Sequence, residues 1–327
     1  MTVIGRSTGL SHPGRKRRHN EDAWVCAPPL FAVADGMGGA RGGEIASRVA
    51  ATALGEEVNG SGEERVIALI QEANRQVFER ANEDSDASGM GTTMTVALVE
   101  DGMIAIGHVG DSRAYLIRNG KLEQLTQDHS LVAELVRSGR LSPEEAETHP
   151  QRSVITRALG TDPDVDVDSF SIEGKPGDVF LICSDGLTSM VDDQAILEAV
   201  ERHRSDLDEA AKELVAAANR SGGEDNITVV FFEIAEERPE PPAETKPMPA
   251  IETPPTEADE DTLSGLEGVP AVDTIVVPPE QARAAAQQEE PEPEKQHFSV
   301  LAARLVIALA IVAALVLLVI WLFGQSQ

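Results

Sequence analysis

The stretch FAVADGMGGARGGE, residues 31–44, joins a short apolar run to a cluster of glycines. The run at 30–34 is bounded by glycines and predicts a buried strand that ends at Asp35. A carboxylate at the end of a strand, followed by glycine backbone that permits close approach, suits a hard cation held by oxygen ligands. An ordinary turn with a solvated aspartate is the alternative that this stretch alone leaves open.

Acidic residues recur at the ends of other predicted strands, and this recurrence favours a metal site. They are Asp111 in GDS, Asp185 in SDG and Asp225 in EDN, with Glu21 and Asp22 as a further pair. The sequence places no His/Cys cluster beside them, so Mg²⁺ or Mn²⁺ fits better than zinc. Two such ions about 4 Å apart can share and activate a water, and a nearby arginine can hold a phosphoryl group.

Hairpin signals and paired helical patterns indicate the fold class. Asp101-Gly102 and Asn119-Gly120 lie between apolar runs and are typical of tight hairpin turns. Periodicity predicts helices over 43–58, 63–82, 193–202 and 206–219. Strands in hairpins with helices grouped in pairs predict an α+β fold and not a parallel doubly wound sheet.

The charge of the chain is strongly negative and unevenly distributed. The net charge of −29 argues against nucleic acid as a partner, because phosphates attract basic surfaces. Residues 236–299 hold 12 of the 19 prolines and a net charge of −12, which predicts a disordered, extended linker. Cys26 and Cys183 match no zinc spacing and are predicted to be free thiols in a reducing compartment.

An apolar stretch near the C-terminus predicts a membrane span. Residues 305–323, LVIALAIVAALVLLVIWLF, contain 19 residues without a charge or a proline. They would cover roughly 28 Å as a helix, close to the hydrocarbon thickness of a bilayer. Lys295 and Arg304 precede the stretch, so the positive-inside rule places the N-terminal part in the cytoplasm. We therefore expect a single-pass protein of the cell membrane, with no signal peptide at its N-terminus.

Seven short motifs occur in order along the first 235 residues. They are RRHNED (17–22), VADGMGG (33–39), GTT (91–93), HVGDSRAY (108–115), TQDHS (126–130), CSDGL (183–187) and EDNITVV (224–230). In this order they resemble the motifs of the metal-dependent (PPM, or type 2C) serine/threonine protein phosphatases, in their bacterial form. The resemblance covers roughly residues 3–235. It implies four layers, an α-β-β-α sandwich in which two antiparallel β-sheets are flanked by helix pairs.

The resemblance also implies a site for two Mn²⁺ or Mg²⁺ ions and a weaker third ion. The implied metal ligands are Glu21, Asp22, Asp35, the Gly36 carbonyl, Asp111, Asp185 and Asp225. Asp35 would bridge the two main ions and Gly36 would bind one of them, while Asp185 and Asp225 complete the other site. Glu21 would act directly or through a bound water, and Asp111 would join Asp185 at the third ion.

Arg17 lies where the family's phosphate-binding arginine is found, four residues before Glu21. The resemblance therefore implies a catalytic and substrate-binding role for Arg17, beside the catalytic role of Asp35. The alternative is a solvated basic loop, because Arg15, Lys16 and Arg18 surround it.

One motif departs from the eukaryotic pattern. Many relatives have DGHGG, with a histidine proposed as general acid, whereas this chain has Met37. A thioether cannot donate a proton, so another group must protonate the leaving alkoxide. His108 and His129 lie inside family motifs, but a structural hydrogen-bonding role is favoured for both.

Together these features predict a membrane-anchored phosphatase that hydrolyses phosphoserine and phosphothreonine in proteins. Its domain (1–235) would be followed by the linker (236–299), a transmembrane helix (300–323) and a short tail (324–327). Its expected partners are membrane-associated serine/threonine kinases and their substrates. A non-catalytic binding module on the same fold, and a hydrolase dedicated to one regulatory phosphoprotein, are the alternatives. The connection at 141–168 is predicted to be an irregular, mobile flap that influences substrate choice.

Overall fold

The computed structural model describes residues 2–83, 89–236 and 275–276. The strands are β1 (Thr2–His12), β2 (Asp22–Ala27), β3 (Leu30–Met37), β4 (Gly91–Thr92), β5 (Met94–Glu100), β6 (Met103–Val109), β7 (Arg113–Arg118), β8 (Lys121–Gln124), β9 (Val154–Ile155), β10 (Asp168–Glu173), β11 (Val179–Cys183), β12 (Ile227–Glu236) and β13 (Ile275–Val276). The helices are α1 (Gly39–Ala53), α2 (Gly62–Glu83), α3 (Leu131–Arg137), α4 (Pro143–Glu147), α5 (Asp185–Thr188), α6 (Asp193–Arg202) and α7 (Leu207–Ser221).

Two antiparallel sheets form the centre of the domain. The first has the strand order β1-β12-β11-β7-β8, and the second has the order β10-β6-β5-β3-β2, with β4 paired to the end of β3. The hairpin turns predicted at Asp101-Gly102 and Asn119-Gly120 are confirmed, since all four residues have positive φ angles, between 51° and 79°.

The side chains of β12 show why the two sheets pack in the middle of the molecule. Val230 and Phe232 face the other sheet, whereas Val229 and Phe231 face the helices, as the two-residue period of a strand requires. Phe232 stacks on Phe31 of the second sheet, with ring centroids 4.3 Å apart. Strands buried on both faces therefore carry the near-continuous apolar runs seen in the sequence.

Helices cover the outer face of each sheet. Apolar residues of α1 and α2 pack on the second sheet, and those of α6 and α7 pack on the first. At Gly107 of β6 a Cβ atom would lie 2.3 Å from Val66 Cγ1, so glycine is needed where α2 crosses this strand. The predicted α+β fold, an α-β-β-α sandwich, is confirmed.

The first helix begins earlier than predicted. It spans Gly39–Ala53, whereas periodicity alone predicted 43–58. Glycines disfavour helix interiors, but here they are required by close packing. A Cβ at Gly43 would lie 2.8 Å from the carbonyl carbon of Gly36.

The segment 141–168 is only partly the irregular flap that was predicted. It contains α4, whose N-terminus is fixed by a capping box between Ser142 and Glu145. It also contains β9, and Ala158 and Leu159 after it are buried. The apolar side chains of Ile155, Ala158 and Leu159 explain the difference, because they give the second half of the segment a surface to bury.

The C-terminal region is described only at β13, which lies inside the stretch predicted to be a disordered linker. β13 pairs in parallel with β9. The rest of the linker, the predicted span at 300–323 and the tail lie outside the described residues. Within the part of the chain that is described, no helix has both the length and the apolar character needed to cross a bilayer.

Candidate active site

Asp35 lies at the end of β3, and its backbone is held by the two threonines of the GTT motif. Its N–H donates to Thr93 Oγ1 at 3.0 Å. Its carbonyl accepts from Thr92 Oγ1 at 2.8 Å and from the Thr93 N–H at 2.9 Å. GTT therefore fixes the backbone that carries the Asp35 carboxylate.

Asp22 is the direct cross-strand partner of Asp35 in the β2–β3 ladder, so the two side chains lie on the same face. Asp22 Oδ2 accepts from Ser184 Oγ at 2.9 Å and from Thr228 Oγ1 at 2.5 Å. Thr228 lies in the first sheet and Ser184 directly follows one of its strands, whereas Asp22 lies in the second sheet. Asp22 Oδ1 is buried and has no hydrogen-bond partner among the described residues.

Asp185 is the first residue of α5, directly after β11. Its carboxyl group is buried beside that of Asp35, whose pKa is raised by burial and by repulsion from neighbouring carboxylates, Asp185 among them. Its Oδ1 atom, like Oδ1 of Asp22, is buried with no hydrogen-bond partner in the described part of the chain. A Cβ at Gly186 would lie 2.0 Å from the Asn226 carbonyl oxygen, so the glycine of SDG is required by packing.

Asp225 and Arg17 form an ion pair at the edge of this cluster. Arg17 Nη2 donates to Asp225 Oδ2 at 2.9 Å, and the Arg17 side chain is 18% exposed. Its neighbours Arg15, Lys16 and Arg18 are exposed. Because the Arg17 side chain is more buried than its neighbours, it does not behave as part of a solvated basic loop, which was the alternative interpretation.

Asn226 is a positioning residue that the sequence interpretation missed. Its Nδ2 donates to the carbonyls of Pro13 and His19, both at 3.0 Å, and its Oδ1 accepts from the Glu21 N–H at 2.7 Å. Asn226 thereby fixes the loop that carries Arg17 and Glu21. The EDN motif was the available signal, but it was interpreted only through its aspartate.

Glu21 and Gly36 meet through their backbones. The Gly36 N–H donates to the Glu21 carbonyl at 3.1 Å. A Cβ at Gly36 would lie 2.1 Å from the Gly43 carbonyl oxygen and 2.5 Å from that of Glu21. Glycine is therefore required at position 36, because the RRHNED loop, β3 and α1 come too close together there for any side chain.

Asp111 occupies the turn after β6 and is buried. Gly110 before it has φ +111° and packs against Thr93, and its N–H donates to His129 Nδ1 at 3.0 Å. Beyond it, Arg113 makes a bidentate pair with Asp128, with distances of 2.9 and 2.7 Å. The GDSRAY and TQDHS motifs therefore support one another around Asp111.

Four aspartates of the cluster have raised pKa values: Asp22, Asp35, Asp111 and Asp185. Burial, followed by repulsion from neighbouring carboxylates, raises the pKa of Asp35 and of Asp111 well above the usual range. Burial likewise raises the pKa of Asp22 to about 7 and that of Asp185 to about 6. Among the described residues, no three acidic, histidine or cysteine side chains are grouped tightly enough to surround one ion as they stand. The donor set is nevertheless all oxygen and under-compensated in charge, which fits a hard divalent cation.

The two histidines make structural hydrogen bonds, as favoured from the sequence. His108 is fully buried, with Nδ1 2.9 Å from Thr95 Oγ1 and Nε2 donating to the Gln127 carbonyl at 3.1 Å. Burial lowers the pKa of His108 to about 3, so it is neutral. His129 is fixed between Gly110 and the Asp168 carboxylate, 3.1 Å from its Nε2.

A cleft of about 1340 Å³ opens beside the cluster. Asp111 and Asp185 are among the residues that line it. One wall comes from α3, α4 and the residues before β9, and the other comes from residues 188–194. Its volume is large enough to hold several residues of a peptide.

Comparisons with known proteins agree with this geometry. Residues 8–221 match the protein phosphatase 2C family. The chain is 40% identical over 237 residues to the serine/threonine phosphatase stp of Listeria innocua, covering 67% of this chain and 92% of that protein. It is 39% identical over 240 residues to the serine/threonine protein phosphatase PstP of Mycobacterium tuberculosis, covering 72% of this chain and 46% of that protein.

Solved structures give the same result. The crystal structure of the M. tuberculosis phosphatase PstP/Ppp superposes with a TM-score of 0.68 at 39% identity, covering 72% of this chain and 100% of that one. A structure of the PstP catalytic domain in complex with two manganese ions has a TM-score of 0.66 at 37% identity, with the same coverage. The chain therefore belongs to the protein phosphatase 2C family and is a serine/threonine protein phosphatase.

Proposed function

We propose that the acidic cluster holds two Mn²⁺ or Mg²⁺ ions, with Asp35 shared between them and a weaker third ion at Asp111 and Asp185. The Gly36 carbonyl, Asp185 and Asp225 complete the two main sites, and Glu21 and Asp22 support them. The observation that carries this assignment is that two buried carboxylate oxygens of the cluster, Asp22 Oδ1 and Asp185 Oδ1, have no hydrogen-bond partner among the described residues. A cation would give these oxygens a partner and relieve the repulsion among the buried carboxylates.

Bound divalent cations supply an activated water nucleophile and neutralise charge on the phosphoryl group. The residues of the chain do the remaining work. Arg17 binds the phosphoryl oxygens, and Asp225 and Asn226 hold it in place for that contact. Asp22 is held by Ser184 and Thr228 and keeps the two sheets aligned around the reacting group.

The position next to the cluster offers no proton for the leaving group. Met37 is 4% exposed and packs with Ile155 and Ala158. A thioether in an apolar contact cannot protonate the alkoxide, so the proton reaches it from another group at the site.

Calorimetric titration of the full chain with Mn²⁺ tests the assignment independently of turnover. We expect Asp35→Asn to abolish the high-affinity binding and the hydrolysis of a phosphothreonine peptide together. Asp162→Asn, at an exposed position, is the matched control and should change neither. Wild-type Mn²⁺ affinity in Asp35→Asn would contradict the two-ion assignment.

We further propose that the enzyme acts at the cytoplasmic face of the cell membrane, against proteins phosphorylated by serine/threonine kinases. The support is the apolar stretch at 305–323 and the acidic, proline-rich linker before it. A chain that ends at residue 299 should leave the membrane fraction and keep its activity on phosphopeptides. Recovery of the full chain in the soluble fraction would contradict the anchor. Profiling against many phosphoproteins would separate a general phosphatase from one dedicated to a single regulator.

A further inference from the structure

The turn that carries Asp111 is held on both sides by hydrogen bonds. Before it, Gly110 donates its N–H to His129 Nδ1 at 3.0 Å and accepts at its carbonyl from the His129 N–H at 2.7 Å. After it, Ser112 Oγ lies 2.7 Å from Thr93 Oγ1. Thr93 belongs to the GTT motif. One half of the support of this turn therefore comes from GTT and the other half comes from His129.

The hydrogen bonds of His129 specify which of its ring nitrogens carries the proton. Its Nδ1 accepts from the Gly110 N–H, so Nδ1 has no proton of its own. Burial lowers the pKa of His129, and the neutral ring then carries its single proton on Nε2. Nε2 donates to Asp168 Oδ2 at 3.1 Å. The ring is 3% exposed, so water has little access to either nitrogen.

Asp168 is oriented in turn by Arg157. Arg157 Nη1 donates to Asp168 Oδ1 at 2.6 Å, so the two carboxylate oxygens face two different donors. Arg157 Nη1 also lies 3.1 Å from His129 Nε2, and two donors come this close because the carboxylate between them accepts from both. The contacts therefore run from Arg157 through Asp168 and His129 to the backbone of Gly110, next to Asp111.

We propose that His129 is a positioning residue for Asp111, and that Asp168 and Arg157 hold His129 in the tautomer that this role needs. The inference rests on the proposed function, in which Asp111 and Asp185 bind the weaker third ion. His129 acts through the backbone from which the Asp111 carboxylate projects. Its loss therefore weakens the third site and spares the two main ions, to which Asp111 is not assigned.

The first variant is Asp168→Asn, an isosteric change that leaves one oxygen for two donors. Arginine cannot stop donating, so Arg157 keeps that oxygen and the amide NH₂ faces His129 Nε2. The ring then moves its proton to Nδ1, where it opposes the Gly110 N–H and displaces the turn.

Calorimetric titration of the full chain with Mn²⁺ measures the consequence as a tight phase for the two main ions and a weak phase for the third. In Asp168→Asn the weak phase should lose affinity about tenfold, as loss of a group behind a metal ligand typically causes. The tight phase should stay unchanged. Asp164→Asn, at an exposed position of the loop before β10, is the matched control and should change neither phase.

Arg157→Met added to Asp168→Asn is the rescue variant. Without the arginine, the amide oxygen is free to accept from His129 Nε2, the original tautomer returns, and the weak phase should recover most of its lost affinity. A role limited to holding the fold together predicts the opposite order, because two lost contacts would weaken the site more than one.

The histidine tautomer gives a measurement that depends neither on ions nor on turnover. Long-range ¹H–¹⁵N spectra show which ring nitrogen is protonated, and the signal that is lost in His129→Asn belongs to His129. Nε2 should carry the proton in wild type and in the double variant, whereas Nδ1 should carry it in Asp168→Asn.

Three results would each overturn the inference: equal weak-phase affinity in Asp168→Asn and Asp164→Asn, no recovery in the double variant, or a proton on Nδ1 in wild type. A wild-type chain with a tight phase and no weak phase would also overturn it. All of these results leave the two main ions of the proposed function in place. Absence of the tight phase from wild type would count against the proposed function instead.

Discussion

The negative charge of buried carboxylates is balanced differently in two regions of this domain. Asp178, 2% exposed, accepts from Arg118 Nε at 2.8 Å and Nη2 at 2.5 Å, and from the Lys175 N–H at 2.7 Å. In the catalytic cluster, Asp22, Asp35 and Asp185 repel one another, and two of their oxygens have no hydrogen-bond partner among the described residues. A buried carboxylate is therefore not by itself a sign of function. The sign is negative charge that the surrounding chain leaves uncompensated.

The largest effect is expected from a substitution in the acidic cluster. Asp35→Asn should lower kcat/KM on a phosphothreonine peptide by about 1,000-fold or more, because it removes the carboxylate that we propose is shared by the two ions that activate water. The same variant should unfold at a higher temperature than wild type in chelator, since one member of a repelling group is lost. Phosphate release and thermal unfolding measure the two effects. Turnover close to wild type at saturating Mn²⁺ would rule out the shared-ligand role.

A substitution in the Arg118–Asp178 pair should have the opposite outcome, with stability lost and activity kept. Arg118→Met leaves Asp178 buried without its cation and should cost about 3 kcal/mol of unfolding free energy, as removal of one partner from a buried pair typically does. Activity below the unfolding transition should stay near wild type, since the pair lies outside the cluster. Arg48→Met is the control, because its ion pair with Glu44 lies on the surface. Denaturant unfolding that shows equal stability for both variants would contradict this difference.

Arg17 tests the boundary between the two kinds of site, because it pairs with the cluster carboxylate Asp225 and is proposed to bind the phosphoryl group. Arg17→Ala should raise KM for a phosphopeptide more than it lowers kcat, with kcat/KM falling about tenfold for a lost charged hydrogen bond. Arg18→Ala, at the exposed neighbour, is the matched control. An unchanged KM in Arg17→Ala, with Arg18→Ala impaired, would show that the neighbouring arginine binds the phosphoryl group.

The smallest effect concerns pH in the metal-free enzyme. The pKa of Asp22 is raised to about 7 and that of Asp185 to about 6, so the folded chain binds protons more tightly than the unfolded chain. Their contribution to stability is complete below about pH 4 and is lost as pH rises through the folded pKa values. In chelator the unfolding temperature should therefore fall by a few degrees between about pH 5 and pH 8.

Two variants show whether the cluster causes that pH dependence. Asp22→Asn should flatten it, whereas Asp162→Asn should not. Saturating Mn²⁺ should also reduce the dependence, because ions take the place of the protons. An identical pH profile for Asp22→Asn and wild type would contradict the assignment to the cluster.

Local patterns predicted much of the fold. The turns at Asp101-Gly102 and Asn119-Gly120 depend on neighbouring residues only, and helix α6 was predicted at its observed bounds, 193–202. The four layers followed from the family resemblance and are now explained by the alternation of side chains along β12. Glycines misled the prediction of α1, because the contact that requires them joins Gly43 to Gly36 in three dimensions.

The acidic residues of the candidate site were predicted from the sequence, whereas the residues that hold them in position were not. Asp35, Asp185 and Asp225 were found because each lies at the edge of a predicted strand and precedes Gly or Asn. The roles of Ser184, Thr228 and Asn226 depend on hydrogen bonds between residues distant in the sequence, and composition or periodicity carries no signal for such bonds. The pairing of β13 with β9 is of the same kind.

The hydrogen bond between Thr228 and Asp22 joins residues separated by 206 positions, and the one between Ser184 and Asp22 spans 162. During synthesis the N-terminal acidic residues therefore leave the ribosome long before their partners exist. A catalytic site of this construction cannot assemble on a partly made chain, because its last part is the final strand of the domain. The nascent protein stays inactive toward its surroundings until the domain is complete.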